Sequence, residues 1–105
     1  MKETSFQSAV AKKIADLIPD CFIIKPDPRH TQGLPDFIIL YKNMWAALEF
    51  KISKKAKIQP NQKYYIEKFG NMSFASFINP ENEGEVLNAL QTAFGIGGKT
   101  RIPKS

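Results

Sequence analysis

The chain has 105 residues, 43% of them hydrophobic and 24% charged, which is the composition of one globular domain rather than of a disordered or fibrous chain. Fifteen Lys and Arg against ten Asp and Glu give a formal charge of +5, favouring a polyanionic partner without establishing one. The single cysteine, Cys21 in "CFII", excludes an internal disulfide and reads as a small core residue. No run approaches the ~20 apolar residues of a membrane helix, and the first ten residues lack a signal peptide's apolar region. A cytoplasmic protein is expected (host cytoplasm if virus-encoded).

Residues 4–18 carry Phe6, Val10, Ile14 and Leu17 at helical spacing, and Pro19 follows; an amphipathic helix is predicted there. "CFIIK" at 21–25 is a short strand and "PDPRHTQG" a loop rich in turn formers. "DFIILY" and "MWAALEFKI" form two strands joined at Lys42-Asn43, with Asn43 suited to the left-handed conformation of such a turn. A helix follows, with Pro60 near its start and Gly70 just past its end. "MSFASFI" is a strand, and residues 79–94 a last helix with Val86, Leu87, Leu90 and Phe94 on one side. The order α-β-β-β-α-β-α implies an α/β chain with a mixed sheet and helices packed on it. Residues 1–94 are expected to be a single domain and 95–105 a flexible basic tail containing Lys99, Arg101 and Lys104.

With a two-residue turn at Lys42-Asn43, Tyr41 pairs with Met44, and Asp36 falls opposite Glu49. Lys51, two residues beyond Glu49, projects from the same face. Facing carboxylates repel. One lysine neutralises one of them, whereas a divalent cation neutralises both and needs little more than two carboxylates with water and phosphate oxygens. The plainer alternative is a solvated hairpin end whose Asp only caps the turn after Pro35.

Helical geometry of about 100° per residue puts Glu3 and Gln7 on the inward stripe of the first helix. In the second long helix, Gln62 lies four before Ile66 and seven before Phe69. Three polar groups on buried stripes and an acid pair on the sheet point to one internal polar site. Each has a local alternative: Thr4-x-x-Gln7 fits a capping box that would leave Glu3 outside the helix, and Gln59 and Gln62 fit as caps of their own helix.

"LPD" at 34–36 followed by "EFK" at 49–51 on the next strand, within an α-β-β-β-α-β order, resembles the PD-(D/E)XK nuclease superfamily and its restriction-endonuclease-like fold. "QGLPD", the acid and Gln of the first helix, and "QPNQKYY" are similar, more narrowly, to the virus-type replication-repair nuclease (VRR-NUC) group, in the manner of small stand-alone phage enzymes. The resemblance implies that Asp36, Glu49 and the Phe50 carbonyl bind Mg²⁺ or Mn²⁺, and that Lys51 orients the attacking water. It also implies that Glu3 reaches a metal directly or through water, with Gln7 and Gln62 as supporting site residues. Phosphodiester hydrolysis needs just such a metal, an activated water and positive charge at the phosphate.

The expected activity is a metal-dependent endodeoxyribonuclease selective for branched DNA such as Holliday (four-way) junctions, acting as a homodimer. The alternatives are a sequence-specific or nicking nuclease of the same fold, or a non-catalytic nucleic-acid-binding module. Lys54, Lys55 and Lys57 are candidate DNA contacts, as are Arg29 and His30, although His30 also reads as an incidental loop residue. Trp45 and the apolar side of the last helix are candidate dimer surface, with core burial the default for each. "AFGIGGKT" at 93–100 matches a permissive P-loop pattern, but a helical pattern precedes it where a P-loop needs a strand; ATP binding is not expected.

Overall fold

The computed structural model describes residues 2–96. Helix α1 (Glu3–Leu17) buries Phe6, Val10 and Ile14, one residue per turn along the stripe its spacing predicts. It ends where Ile18 leaves the helical region, at φ −130° and ψ 77°, because the proline after it disfavours that region, and Asp20 takes a positive φ of 72° to send the chain into β1 (Phe22–Ile24).

Strands β2 (Phe37–Tyr41) and β3 (Met44–Phe50) form the hairpin with Tyr41 opposite Met44 and Phe37 opposite Leu48, the register expected from a two-residue turn. The left-handed residue is Lys42, at φ 55°, and not Asn43: the turn places its strain at its first central position. Helix α2 (Pro60–Gly70) then crosses over to β4 (Phe74–Ile78), which pairs with β3 in parallel. The sheet order is β1-β2-β3-β4, antiparallel except for the last pair. Gly70 is the last residue of α2 rather than the one beyond it; Asn71 caps the helix in the right-handed region, so no glycine conformation is needed.

Helix α3 (Glu83–Ala93) starts four residues later than the expected 79–94. The side chain of Asn79 accepts from the backbone N–H groups of Glu81 and Asn82, and Asn82 Oδ1 accepts from the Asn79 N–H. Those bonds hold residues 79–82 in a turn instead of a helix.

The alternation of each strand sorts the two sheet faces. Phe37, Ile39, Leu48, Phe50 and Ile78 lie in one buried cluster with Phe6, Val10 and Ile14 of α1 and Val86, Leu87, Leu90 and Phe94 of α3. Helix α2 covers the opposite face over β3 and β4, where Phe69 meets Trp45 edge-on at 5.7 Å between centroids. Over β1 and β2 that second face is open, and Phe22, Ile24 and Leu40 are exposed. Cys21 packs against the core as expected, and burial pushes its thiol pKa up. No helix among the described residues is long and apolar enough to cross a membrane. Gly95 and Ile96 still bond back to α3 through Thr92 O and Gln91 O; the basic residues expected in the tail, Lys99, Arg101 and Lys104, lie outside the described residues.

Candidate active site

The tripeptide Glu49-Phe50-Lys51 carries the site because neighbours on a strand point to opposite faces. Phe50 plugs into the core, edge-on to Phe6 at 5.4 Å and to Phe37 at 4.7 Å between ring centroids. Glu49 and Lys51 are thereby driven to the α2 side. Strand β3 ends at Phe50, two residues short of the expected limit, but the Lys51 N–H still donates to Ile78 O at 2.9 Å. The backbone of both functional residues is thus tied to the sheet.

Asp36 stands just before β2, in line with the register that places it opposite Glu49. Its Oδ2 accepts the Phe50 N–H at 2.8 Å, anchoring the acid to the strand across from it. Pro35 beside it is fully buried, which fixes the approach. Upstream, Gly33 has φ +91°; a Cβ there would lie 2.7 Å from Asn61 Cγ and 2.9 Å from the Asn61 carbonyl carbon. Only glycine lets the loop before Asp36 lie this close to the start of α2.

Gln62 closes the arrangement from α2. Its Oε1 accepts from Lys51 Nζ at 2.7 Å and from the Gln59 N–H at 3.0 Å, while its Nε2 donates to Glu49 Oε2 at 2.8 Å. The two uses of Gln62 that the sequence allows, helix cap and site residue, are therefore made at once. Lys51 Nζ also donates to Lys57 O at 2.9 Å. An ammonium carries three N–H donors, so one remains for a ligand.

Glu49 is only 4% exposed, and its Oε1 is buried with no hydrogen-bond partner. Burial and then the charge of Asp36 push its pKa up to about 8, against the lowering influence of Lys51. Asp36 is likewise raised, chiefly by burial, although the Phe50 N–H and the Lys51 charge pull it down. A buried oxygen without a donor, beside a second carboxylate, is costly for a protein alone and fits a cation. Oxygen donors from Asp36, Glu49 and the Phe50 carbonyl match Mg²⁺ or Mn²⁺, which keep water as most of their shell. Among the described residues no three or more His, Cys, Asp or Glu side chains come together in a way that could hold a metal ion; the acids brought together here are Asp36 and Glu49.

Glu3 lies inside α1 rather than before it, which sets aside the Thr4-Gln7 capping box. Gln7 Nε2 donates to Glu3 Oε2 at 3.2 Å. Glu3 itself is exposed and Gln7 half-buried, so the inward stripe holds Gln7 better than Glu3. The Glu3 charge nevertheless helps to raise Glu49.

The basic candidates fall into two groups. Lys54, Lys55 and Lys57 are exposed on the segment between Lys51 and α2. Arg29 grips Asp27 with two bonds to Oδ2, at 2.8 and 3.2 Å, and one to Oδ1 at 3.1 Å, which lowers the Asp27 pKa and offsets the arginine charge locally. His30 is an exposed residue of that same turn. The apolar side of α3 is buried in the core and Trp45 is half-buried against Phe69. The "AFGIGGKT" motif begins at the end of helix α3 and not after a strand; its last four residues lie outside the described residues.

No family model and no curated protein matches the chain. Solved structures do. One described as "VRR_NUC domain" matches with a TM-score of 0.66 at 18% identity, over 82% of this chain and 94% of that one. A second, "VRR_NUC domain protein", matches with a TM-score of 0.65 at 17% identity, over 92% and 91%. The fold is that of the VRR_NUC domain. It is the restriction-endonuclease-like arrangement expected from "LPD" and "EFK", an αβββαβ core followed by α3. What the strand alternation did not signal is the Gly33–Asn61 contact, which joins a loop to a helix 28 positions away.

Proposed function

We propose that this VRR_NUC-fold protein is a metal-dependent endodeoxyribonuclease that hydrolyses phosphodiester bonds in branched DNA such as four-way junctions. The observation that carries the reading is the partnerless Glu49 Oε1 beside Asp36, on the face where Lys51 is held by Gln62. Asp36, Glu49 and the Phe50 carbonyl are the residues that would hold Mg²⁺ or Mn²⁺, with Glu3 as a further, water-mediated donor. Such a cation supplies charge to polarise the phosphate and to lower the pKa of a bound water.

The chain's own groups do the positioning. Gln62 and the Lys57 carbonyl hold the Lys51 ammonium and leave one N–H that would serve the attacking water or a phosphate oxygen. Hydrolysis breaks one P–O bond and leaves a phosphate monoester and a hydroxyl. Gln7 steadies Glu3. Lys54, Lys55 and Lys57 contact backbone phosphate, with Arg29 and His30 at the flank; such contacts position DNA without reading its sequence. The described residues make one body built around one site, so selection by the shape of a branch suits them better than reading a long sequence. Cutting two strands symmetrically then calls for a homodimer with two sites.

The test is cleavage of a labelled four-way junction beside matched linear duplex and single strand, in Mg²⁺, in Mn²⁺ and in chelator, with Glu49→Gln as control. Paired, metal-dependent cuts confined to the junction are expected, absent in the variant. Cutting of all three substrates removes the branch selectivity; binding without cutting in either metal removes the nuclease.

A further inference from the structure

Next to the site, between the loop at 28–33 and the start of α2, lies a cleft of about 430 Å³ lined by Pro28, Gln32, Gly33, Gln59, Asn61 and Gln62. Its size falls within the ~300–1,000 Å³ range of small-ligand sites. No charged side chain is in its lining, although the chain is strongly basic and lysines crowd the neighbouring segment at 54–57. A phosphate pocket would carry a cation; this one carries four amides. The cleft abuts the reacting centre directly, because Gln62 lines it and also bonds Lys51 and Glu49.

Its amides are not equivalent. Both ends of the Gln62 amide are engaged within the site. The side-chain amides of Gln32 and Asn61 make no hydrogen bond to another described residue, and each offers a donor beside an acceptor. Asn61 packs against Gly33, so closely that no side chain at position 33 would fit beside its Cβ and Cγ. Asn61 thus stands at a defined place in the wall, at the start of α2, while Gln32 reaches the cleft from the exposed loop.

Resting on the nuclease reading, we propose that this cleft receives one nucleobase of the strand being cut, read by the amides of Asn61 and Gln32. An amide pairs two-pronged with a base edge that sets a donor beside an acceptor, adenine above all. The shape of the DNA then selects the region, and this base selects the bond within it.

The experiment uses a substrate pool with the bases around the branch point randomised. It is read twice: by sequencing the cut ends, and by sequencing what the protein retains in Ca²⁺. The wild type is expected to favour adenine at one position beside the cut by about tenfold, the size of one good amide–base pair. Asn61→Ala and Gln32→Ala each bring that ratio below about threefold. Asn61→Asp, which trades the donor for an acceptor, moves the preference toward cytosine, a change that loss of fold does not produce. Cleavage without base preference, or a preference that none of the variants alters, overturns the cleft and leaves the nuclease standing. Selective retention that depends on Asn61 without any cleavage keeps the cleft and removes the nuclease. Neither cleavage nor selective retention overturns both.

Discussion

Gln62 Nε2 donates to Glu49 Oε2 at 2.8 Å while its Oε1 receives Lys51 Nζ at 2.7 Å, so one amide orients the acid and the base of the "EFK" motif together. Truncating it leaves a buried carboxylate with both oxygens unsatisfied, at a cost of ~1–3 kcal/mol. Gln62→Ala is expected to lower cleavage and metal affinity by about 10–100-fold, the usual loss when a supporting partner of a metal ligand is removed. Calorimetry with Mn²⁺ alongside the junction assay checks this; unchanged metal affinity would reduce Gln62 to a helix cap.

The acid pair makes the metal-free protein sensitive to pH. Glu49 is raised from 4.5 to about 8 in the fold, so the folded chain binds more protons than the unfolded chain between those values. Stability from this group is fully present below about 4.5 and is lost as pH rises through about 8. Asp36, raised in the same direction, adds to the trend. In chelator, Tm should fall from pH 5 to pH 9, and Glu49→Gln should flatten much of that slope. A profile equally steep in the variant would assign the slope to other groups.

Metal binding should show the complementary dependence. The carboxylates must lose their protons to ligate, so Mg²⁺ should raise Tm more at pH 8.5 than at pH 6. Asp36→Asn and Glu49→Gln should each remove the Mg²⁺ response at both pH values. Thermal melts with Mg²⁺ and with chelator measure both effects, and a Mg²⁺ shift surviving in the two variants would place the metal elsewhere.

Much of the site's geometry is dictated locally by the sequence. A two-residue turn and a side-chain period of two are enough to set Asp36 against Glu49 and to bring Lys51 to the same face, because register in a hairpin is a local property. Gln62 stands out in the sequence as a polar residue on a buried helical stripe. The parts that were not legible depend on contacts between distant segments or on competing local bonds. Lys42 takes the left-handed turn position although Asn43 suits it better. Asn79 and Asn82 hold residues 79–82 in a turn through their side chains, so α3 begins at Glu83 instead of at residue 79. Glu3 joins α1, yet it sits on the exposed side of the helix start. The orphan oxygen of Glu49 follows only from how α2 packs over the sheet.

Gly33 and Gly70 should respond to alanine with opposite signs. At Gly33 the positive φ and the crowding by Asn61 make Gly33→Ala cost ~1–3 kcal/mol, or a Tm fall of several degrees in a domain this small. Cleavage should fall as well, because the loop sets Asp36. At Gly70, nothing lies within 4 Å of a built Cβ and the residue is helical, so Gly70→Ala should add ~0.5–1 kcal/mol. Denaturant melts of the two variants decide it, and a neutral Gly33→Ala would mean the loop is free to move off α2.

The lysines beyond Lys51 give the last prediction, because their contribution has a signature that no catalytic residue shares. Lys54, Lys55 and Lys57 are exposed and none is in an ion pair with another described residue, whereas Arg29 already has Asp27. If each lysine meets a backbone phosphate, binding of duplex arms releases one counterion apiece, and log K falls with log salt by about 0.9 per contact. Replacing all three by alanine should weaken binding at low salt and make the salt slope shallower by about 2–3. Arg29→Ala should change the slope by less than one such step, since its charge is partly met within the turn. Both effects are measured by anisotropy titrations of a labelled junction in Ca²⁺ at several salt concentrations. The base ratio at the cut should not move in the triple variant, because phosphate contacts carry no base information. An unchanged slope in the triple variant, with a lowered one for Arg29→Ala, would shift the DNA path from the segment after β3 to the loop before β2.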